Sequence, residues 1–250
     1  MNNFIIENKA NEFRNINGIG DKDPIRLKSL LNNLNLITVY KPLSNDFSGM
    51  ALKITNDTSV DRFILVNSNH SLGKQHFTIC HELYHLFIQQ EFNYMVCKTG
   101  VFDKSKDKEE FNADYFAAVL LLPESGIKSL IPENELAKDK ITIKTVLKLE
   151  HYYSCSRAAL LYRLQEIKLI SKSYAEKFRS YIKFNAIQHG YNTELYSEGN
   201  HNLVIGNYGE LAYQLYNKEK ISESYYFSLL KDLGLTDNEL QIIMNGEEKE

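Results

Sequence analysis

The chain has 250 residues, 43% of them hydrophobic, so it is long enough to bury a core in one large domain or two smaller ones. Its 29 basic and 32 acidic residues leave a formal net charge of −3. This charge argues against a strongly basic nucleic-acid-binding protein and against a protein with a polyanionic tail. The longest apolar run, Phe116–Leu122, is too short to cross a bilayer, and the first residues lack the pattern of a signal peptide. Composition therefore predicts a globular, cytoplasmic protein that does not enter a membrane.

The first seventy residues predict one helix and a small sheet. Asp23 and Pro24 are typical of a helix start, and an apolar stripe follows as far as Leu34. Three runs rich in β-branched and aromatic residues predict strands, and residues 56–59 are typical of a hairpin turn between the last two. The strands are expected at Leu36–Tyr40, Gly49–Ile54 and Arg62–Val66. The sequence thus predicts an antiparallel sheet of about three strands.

Helical patterns dominate the rest of the chain. Leu72–Gln90 is apolar on nearly all sides, which is typical of a buried central helix. A charged surface loop is expected at Lys98–Glu109, and a second helix from about Lys108 to Leu122, before Pro123. Further helices are expected at about 142–152, 156–168, 172–189, 203–217, 222–232 and 236–245, the last with a capping box formed by Thr236 and Glu239.

These elements predict an α+β fold, in which a small antiparallel sheet packs on the central helix and a mostly helical half follows. A domain boundary is expected near residue 170. It would separate a domain at 1–170, with a helix-turn-helix-like pair at about 142–168, from a helical region at 171–250 whose role is open.

The central helix carries an H-E-x-x-H motif at residues 81–85. On a helix, His81 and His85 are four residues apart, so both imidazoles project from one face and can share a metal ion. Glu82 projects beside them and suits a base that takes a proton from water. The spacing therefore predicts a metal-dependent hydrolytic site.

A catalytic zinc ion usually has three protein ligands. Glu110 and Asp114 are also four residues apart, so Glu110 can supply the third ligand while Asp114 accepts a hydrogen bond from the far nitrogen of a ligand histidine. Glu109 is the main alternative ligand. A further alternative is that these acidic residues are only the solvated start of a helix.

Two segments together resemble the ImmA/IrrE family of bacterial metallopeptidases. They are Phe77–His85 (FTICHELYH) and Glu110–Pro123 (EFNADYFAAVLLLP). Weaker similarity involves Ser48–Gly49, Ile64–Asn67 and Ser154–Leu164, so that the resemblance covers roughly residues 11–170.

The resemblance implies a zinc endopeptidase with His81, His85 and Glu110 as ligands of one Zn²⁺ ion and Glu82 as the catalytic glutamate. It also implies a protein substrate, a separately encoded helix-turn-helix repressor whose cleavage switches on stress or mobile-element genes. Because no N-terminal helix-turn-helix domain is evident, a stand-alone protease is expected. Tyr84 departs from the family, which usually has glycine there, and it is expected to narrow the cleft or to contact substrate.

Other readings stay open. The helix pair at 142–168 has a local charge of +3, so an alternative hypothesis is a DNA-binding regulator. Direct DNA binding is the less favoured of the two hypotheses. A metal-free relative that sequesters a partner is a third possibility.

The substrate is expected to lie extended along the strand near Ser48–Leu52. The oxyanion-stabilising group is unassigned among His151, Tyr152 and Tyr153, and the three cysteines are expected to be inert thiols, since no pair has the spacing of a metal or redox motif.

Overall fold

The structure, a computed structural model, describes residues 2–55, 59–90, 92, 94–98 and 108–245, with only the backbone described at 94–98, 244 and 245. Most of the predicted turn at 56–59 and of the predicted loop at 98–109 lies outside these ranges. The strands are β1 (Ile37–Lys41), β2 (Phe47–Thr55), β3 (Val60–Asn67), β4 (Tyr94–Lys98) and β5 (Val204–Ile205). The helices are α1 (Asn3–Ile16), α2 (Leu27–Asn33), α3 (Leu72–Phe87), α4 (Lys108–Leu121), α5 (Glu124–Leu130), α6 (Ile143–Tyr153), α7 (Arg157–Glu166), α8 (Lys172–Ala175), α9 (Ile182–Gln188), α10 (Tyr208–Asn217), α11 (Glu223–Asp232) and α12 (Asp237–Asn245).

The N-terminal region differs from the prediction in two ways. An unpredicted helix, α1, buries Ile6, Ala10 and Phe13 on one face. The helix predicted to start at Asp23–Pro24 instead begins at Leu27. The Asp23 carbonyl accepts a hydrogen bond from the guanidinium of the buried Arg14, whereas the first amide bond of α2 runs from Leu30 to the Arg26 carbonyl.

The sheet has the order β4-β2-β3-β1-β5 in the described part of the chain. β2 is antiparallel to both β3 and β4, but β1 runs parallel to β3, with Ile37 opposite Phe63. The α+β class is confirmed, whereas the purely antiparallel pairing is wrong, because β3 returns into the position next to β1 and so separates it from β2.

β2 is an interior strand. Gly49 lies opposite Val66 of β3 on one side and opposite Cys97 of β4 on the other. Both backbone edges of β2 are therefore already paired, and the prediction that a substrate pairs with Ser48–Leu52 is wrong: such a substrate would have to displace β4.

The predicted central helix is confirmed as α3, which is buried between the sheet and α4. It packs on β2 and β3 with one side and on α4 with another. α4 is also confirmed, and from Asn112 to Leu121 it is buried at every position. The helix that bears the metal motif thus sits at the centre of the main hydrophobic core.

The later half is mostly helical, as predicted, with local differences. The helix predicted at 172–189 is interrupted, since Tyr181 has a left-handed backbone with φ of 57° between α8 and α9. The helix predicted at 203–217 begins instead with β5, which pairs with β1. α5 was not predicted. The capping box at Thr236 and Glu239 is confirmed, because each backbone amide donates to the other residue's side chain.

Two clusters of buried apolar side chains occur among the described residues. The larger one surrounds α3 and extends past residue 170 to Ala175, Phe178 and Ile205. The smaller one joins α10, α11 and α12 through Ala212 and Tyr226, among others. The expected domain boundary near residue 170 stays a prediction. None of the described helices combines the length and the apolar character that a membrane crossing needs.

Candidate metal centre

Three side chains from α3 and α4 converge at one point. His81 Nε2 lies 3.2 Å from His85 Nε2 and 3.6 Å from Glu110 Oε2, and His85 Nε2 lies 3.4 Å from Glu110 Oε1. One donor atom from each residue lies within 4.8 Å of the others. Two imidazoles and a carboxylate are the donor set of a catalytic zinc site, so these residues fit a divalent metal ion.

The packing of α3 against α4 brings these donors together. His81 and His85 are one turn apart on α3, as their spacing predicts, and both are buried. On α4, Ala113 and Ala117 are fully buried in the core. Such small side chains let two helices approach closely, and this brings Glu110, in the first turn of α4, within reach of the histidines.

Each histidine is oriented through its second ring nitrogen. Asp114 Oδ1 lies 2.9 Å from His81 Nδ1, which is the contact that the spacing of Glu110 and Asp114 predicts. Gln89 Oε1 lies 2.6 Å from His85 Nδ1 and was missed in the sequence. A hydrogen bond at Nδ1 places the proton there and leaves the Nε2 lone pair for a metal.

Glu110 is the acidic residue that faces the histidines, and its carboxylate is held in the charged form. Burial alone would raise the pKa of Glu110, but when His81 and His85 carry protons on Nε2, their hydrogen bonds and charges outweigh this effect and hold the pKa below its usual value. Glu109, the alternative ligand, has other partners: its Oε2 accepts a hydrogen bond of 2.7 Å from the Tyr84 hydroxyl, and its Oε1 accepts one of 3.2 Å from Asn112.

Tyr84 lies in the core rather than in a cleft. Its side chain has no exposed surface, and its ring packs against Phe116 of α4 with centroids 5.7 Å apart. The prediction that Tyr84 narrows the cleft or contacts substrate is therefore wrong, because the position faces the α3–α4 interface.

Glu82 is fully buried between α3 and β2. A methyl group at Gly49 would lie 2.9 Å from Glu82 Oε1 and 2.6 Å from Thr78 Cγ2, so only glycine lets β2 pass this close to the carboxylate. In the sequence, Gly49 begins a predicted strand and belongs to the family resemblance, but its contact with Glu82 was not predicted. A glycine inside a β-rich run is the available signal, since it often marks close approach to a functional group.

The three candidates for the oxyanion role either have other partners or lie on the surface. His151 Nε2 is 3.1 Å from the Tyr196 hydroxyl, and its ring stacks on Tyr191. The Tyr153 hydroxyl donates to the carbonyl of Lys22, and Tyr152 is exposed on the surface. The role therefore stays unassigned.

The described cysteines are buried thiols. Burial raises the pKa of Cys80 to about 12, although the charge of Arg14 partly opposes the shift. Cys155 is also buried, and its pKa is raised well above the usual value, mainly by burial. Neither thiol forms the thiolate that nucleophilic catalysis needs. The side chain of Cys97 lies outside the described residues.

The comparison with known families agrees with this geometry. Residues 40–165 match the model of the IrrE N-terminal-like domain, peptidase family M78. The chain belongs to the ImmA/IrrE family of metallopeptidases. The match includes β2, β3, α3 and α4, and therefore every residue of the candidate metal centre. A search of curated proteins found no match.

Proposed function

We propose that this member of the ImmA/IrrE family is a zinc-dependent endopeptidase. His81, His85 and Glu110 would hold the ion, Asp114 would orient His81, and Glu82 would be the catalytic base. The observation that carries the proposal is the convergence of three donor atoms within 4.8 Å, next to the Asp114–His81 contact of 2.9 Å.

When bound, zinc would polarise the scissile carbonyl and make water more acidic. Glu82 follows His81 directly in the helix. Its carboxylate therefore lies near the metal ligands but projects from the helix about 100° away from His81. It would accept a proton from the attacking water and deliver it to the leaving amine. The packing of β2 against Glu82 at Gly49 keeps bulk water from that side of the carboxylate.

The experiment is co-incubation of the full chain with a protein substrate, together with a zinc measurement. In Glu82→Gln we expect about one zinc ion per chain to be retained and cleavage to fall by at least about 100-fold, since the proton carrier is lost while the ligands remain. Glu176→Gln, at an exposed carboxylate on the surface, is the matched control and is expected to cleave normally. A chelator should abolish cleavage by the unmodified chain. Full cleavage by Glu82→Gln would refute the assignment.

For the substrate, we propose a separately encoded helix-turn-helix repressor in the cytoplasm, whose removal derepresses stress or mobile-element genes. The support is the family resemblance and the chain's near-neutral charge of −3, which suits a protease acting on a protein better than a dedicated DNA binder. The repressor encoded nearest to this gene is the first substrate to test in the co-incubation.

The DNA-binding alternative has less support from the geometry of its helix pair. Arg157 is buried and paired with Glu150, and Arg163 is buried and donates to the carbonyl of Leu122. These two basic side chains contribute to the local charge of +3, but they are directed into the protein and not toward a phosphate backbone.

A further inference from the structure

The first turn of α4 carries two adjacent carboxylates with different partners. Glu110 faces the two histidines at 3.4 and 3.6 Å. Glu109 instead faces α3 at Tyr84, whose hydroxyl lies 2.7 Å from Glu109 Oε2. Consecutive residues on a helix project about 100° apart, so rotation of this turn by one position would exchange the two carboxylates at the metal centre.

Tyr84 is well suited to fix that rotation. Its ring is fully buried, packs at 5.7 Å against Phe116 of α4 and lies edge-to-face with His85 at 5.6 Å. Its hydroxyl is therefore held in a fixed place relative to both helices. A tyrosine hydroxyl is protonated at neutral pH, so it can donate its proton to Glu109 Oε2 at 2.7 Å.

Asn112 supports the same arrangement from within α4. Its amide donates a hydrogen bond of 3.2 Å to Glu109 Oε1, so the two oxygens of Glu109 are held by different helices. A glutamate held in this way is kept from competing for a nearby cation. A helix end tends to fray unless side chains fix it, and Glu109 is the second residue of α4.

We propose that Tyr84 is a positioning residue that holds Glu109 against α3 and so determines that Glu110, not its neighbour, is the carboxylate ligand. The inference rests on the proposed metal site, to which it adds a determinant of ligand choice. Tyr84 would act only through Glu109 and the rotation of α4, without touching the metal or the substrate.

The test is a double-mutant cycle on zinc affinity, measured for the full-length apoprotein by competition with a chromophoric chelator. Tyr84→Phe keeps the packed ring and removes the hydroxyl, and we expect zinc affinity to fall by about tenfold, the lower end for residues that support metal ligands. Glu109→Ala should lower the affinity by a similar factor, because it removes the same contact that fixes the rotation of α4 against α3, although it also removes the competing carboxylate. The double variant should match Glu109→Ala within about twofold, because both changes remove one interaction.

Two further measurements separate positioning from a general loss of packing. Tyr153→Phe removes another buried tyrosine hydroxyl, one that donates to the Lys22 carbonyl, and it should leave zinc affinity unchanged. With cobalt as the probe, the visible absorption spectrum should change in Tyr84→Phe and not in Tyr153→Phe, since the ligand geometry changes only in the former.

The outcomes distinguish this inference from the proposed function. If the unmodified chain binds neither zinc nor cobalt, the metal site itself is wrong. If it binds zinc and Tyr84→Phe binds equally well, only the role of Tyr84 is refuted. Losses that multiply in the double variant, or an equal loss in Tyr153→Phe, would likewise overturn the positioning role.

Discussion

Gln89 forms the smallest part of the site that can be tested by itself. Its side-chain oxygen accepts from His85 Nδ1 at 2.6 Å, whereas His81 has a carboxylate in the corresponding place. We expect Gln89→Ala to lower zinc affinity by about tenfold, because the ring of His85 loses its fixed orientation. The measurement is chelator competition, which reports the metal equilibrium directly.

Gln165→Ala is a matched control for that change. Gln165 donates to the carbonyl of Leu161, four residues before it on α7, so the same truncation is made at a helical glutamine without a histidine partner. Unaltered zinc binding by Gln89→Ala would show that His85 needs no such support.

At the scale of single residues, local spacing predicted most of the site. His81, His85, Glu110 and Asp114 lie together because a four-residue spacing places side chains on one helix face. Gln89 follows the same rule relative to His85 and was detectable in principle. The Tyr84–Glu109 contact was not, since it depends on how α3 crosses α4, and no local pattern encodes a crossing between two helices.

Among whole elements, the contact between β2 and α3 gives a sharp prediction. In Gly49→Ala the new methyl group would lie 2.6 Å from Thr78 Cγ2 and 3.1 Å from the Leu65 carbonyl, so strand and helix must separate. We expect a loss of about 1–3 kcal/mol in the free energy of unfolding, as for other overpacked core positions. Cleavage should fall more than zinc affinity does, because Glu82 is displaced while the ligands keep their contacts.

Urea unfolding, zinc competition and substrate cleavage measure the three effects. Gly209→Ala on α10 is the matched control, since its nearest neighbour is the flexible end of Leu233 at 3.1 Å. That change should leave the free energy of unfolding unaltered or raise it by up to about 1 kcal/mol, because alanine has the higher helix propensity. Intact cleavage in Gly49→Ala would show that Glu82 does not need its present position.

The features that the sequence did not predict each have a physical reason for their weak sequence signal. α1 lacked a clear apolar stripe because the buried Arg14 occupies one of its core positions, while Phe4 and Ile16 are exposed at 67% and 76%. β5 has two residues and is stabilised by pairing with β1, far away in the chain. The parallel β1–β3 pair is likewise a non-local choice, since strand propensity sets that a strand forms but not which neighbour it takes.

For the molecule as a whole, the open question is where the peptidase domain ends. The main core includes Phe178 and Ile205, which lie beyond the boundary expected near residue 170. The buried pair of Glu150 and Arg157 also depends on this region: Arg157 donates to the Phe178 carbonyl at 2.8 Å, and the Tyr196 hydroxyl donates to Glu150 at 2.7 Å. The described α10, α11 and α12 instead bury side chains mainly in their own small cluster.

Two truncated chains test whether the peptidase domain ends near residue 170 or also includes residues 171–207. A chain that ends at Asn207 keeps β5, Phe178 and Tyr196, so we expect it to bind zinc and to unfold within about 1–2 kcal/mol of the full chain, since only the small cluster is removed. A chain that ends at Ile170 exposes the main core and leaves the buried charges with fewer partners, which should cost at least about 3 kcal/mol. Urea unfolding followed by circular dichroism, with zinc binding in parallel, measures both. If the chain ending at Ile170 were as stable as the one ending at Asn207, residues 171–207 would not stabilise the peptidase domain, which would then end at residue 170.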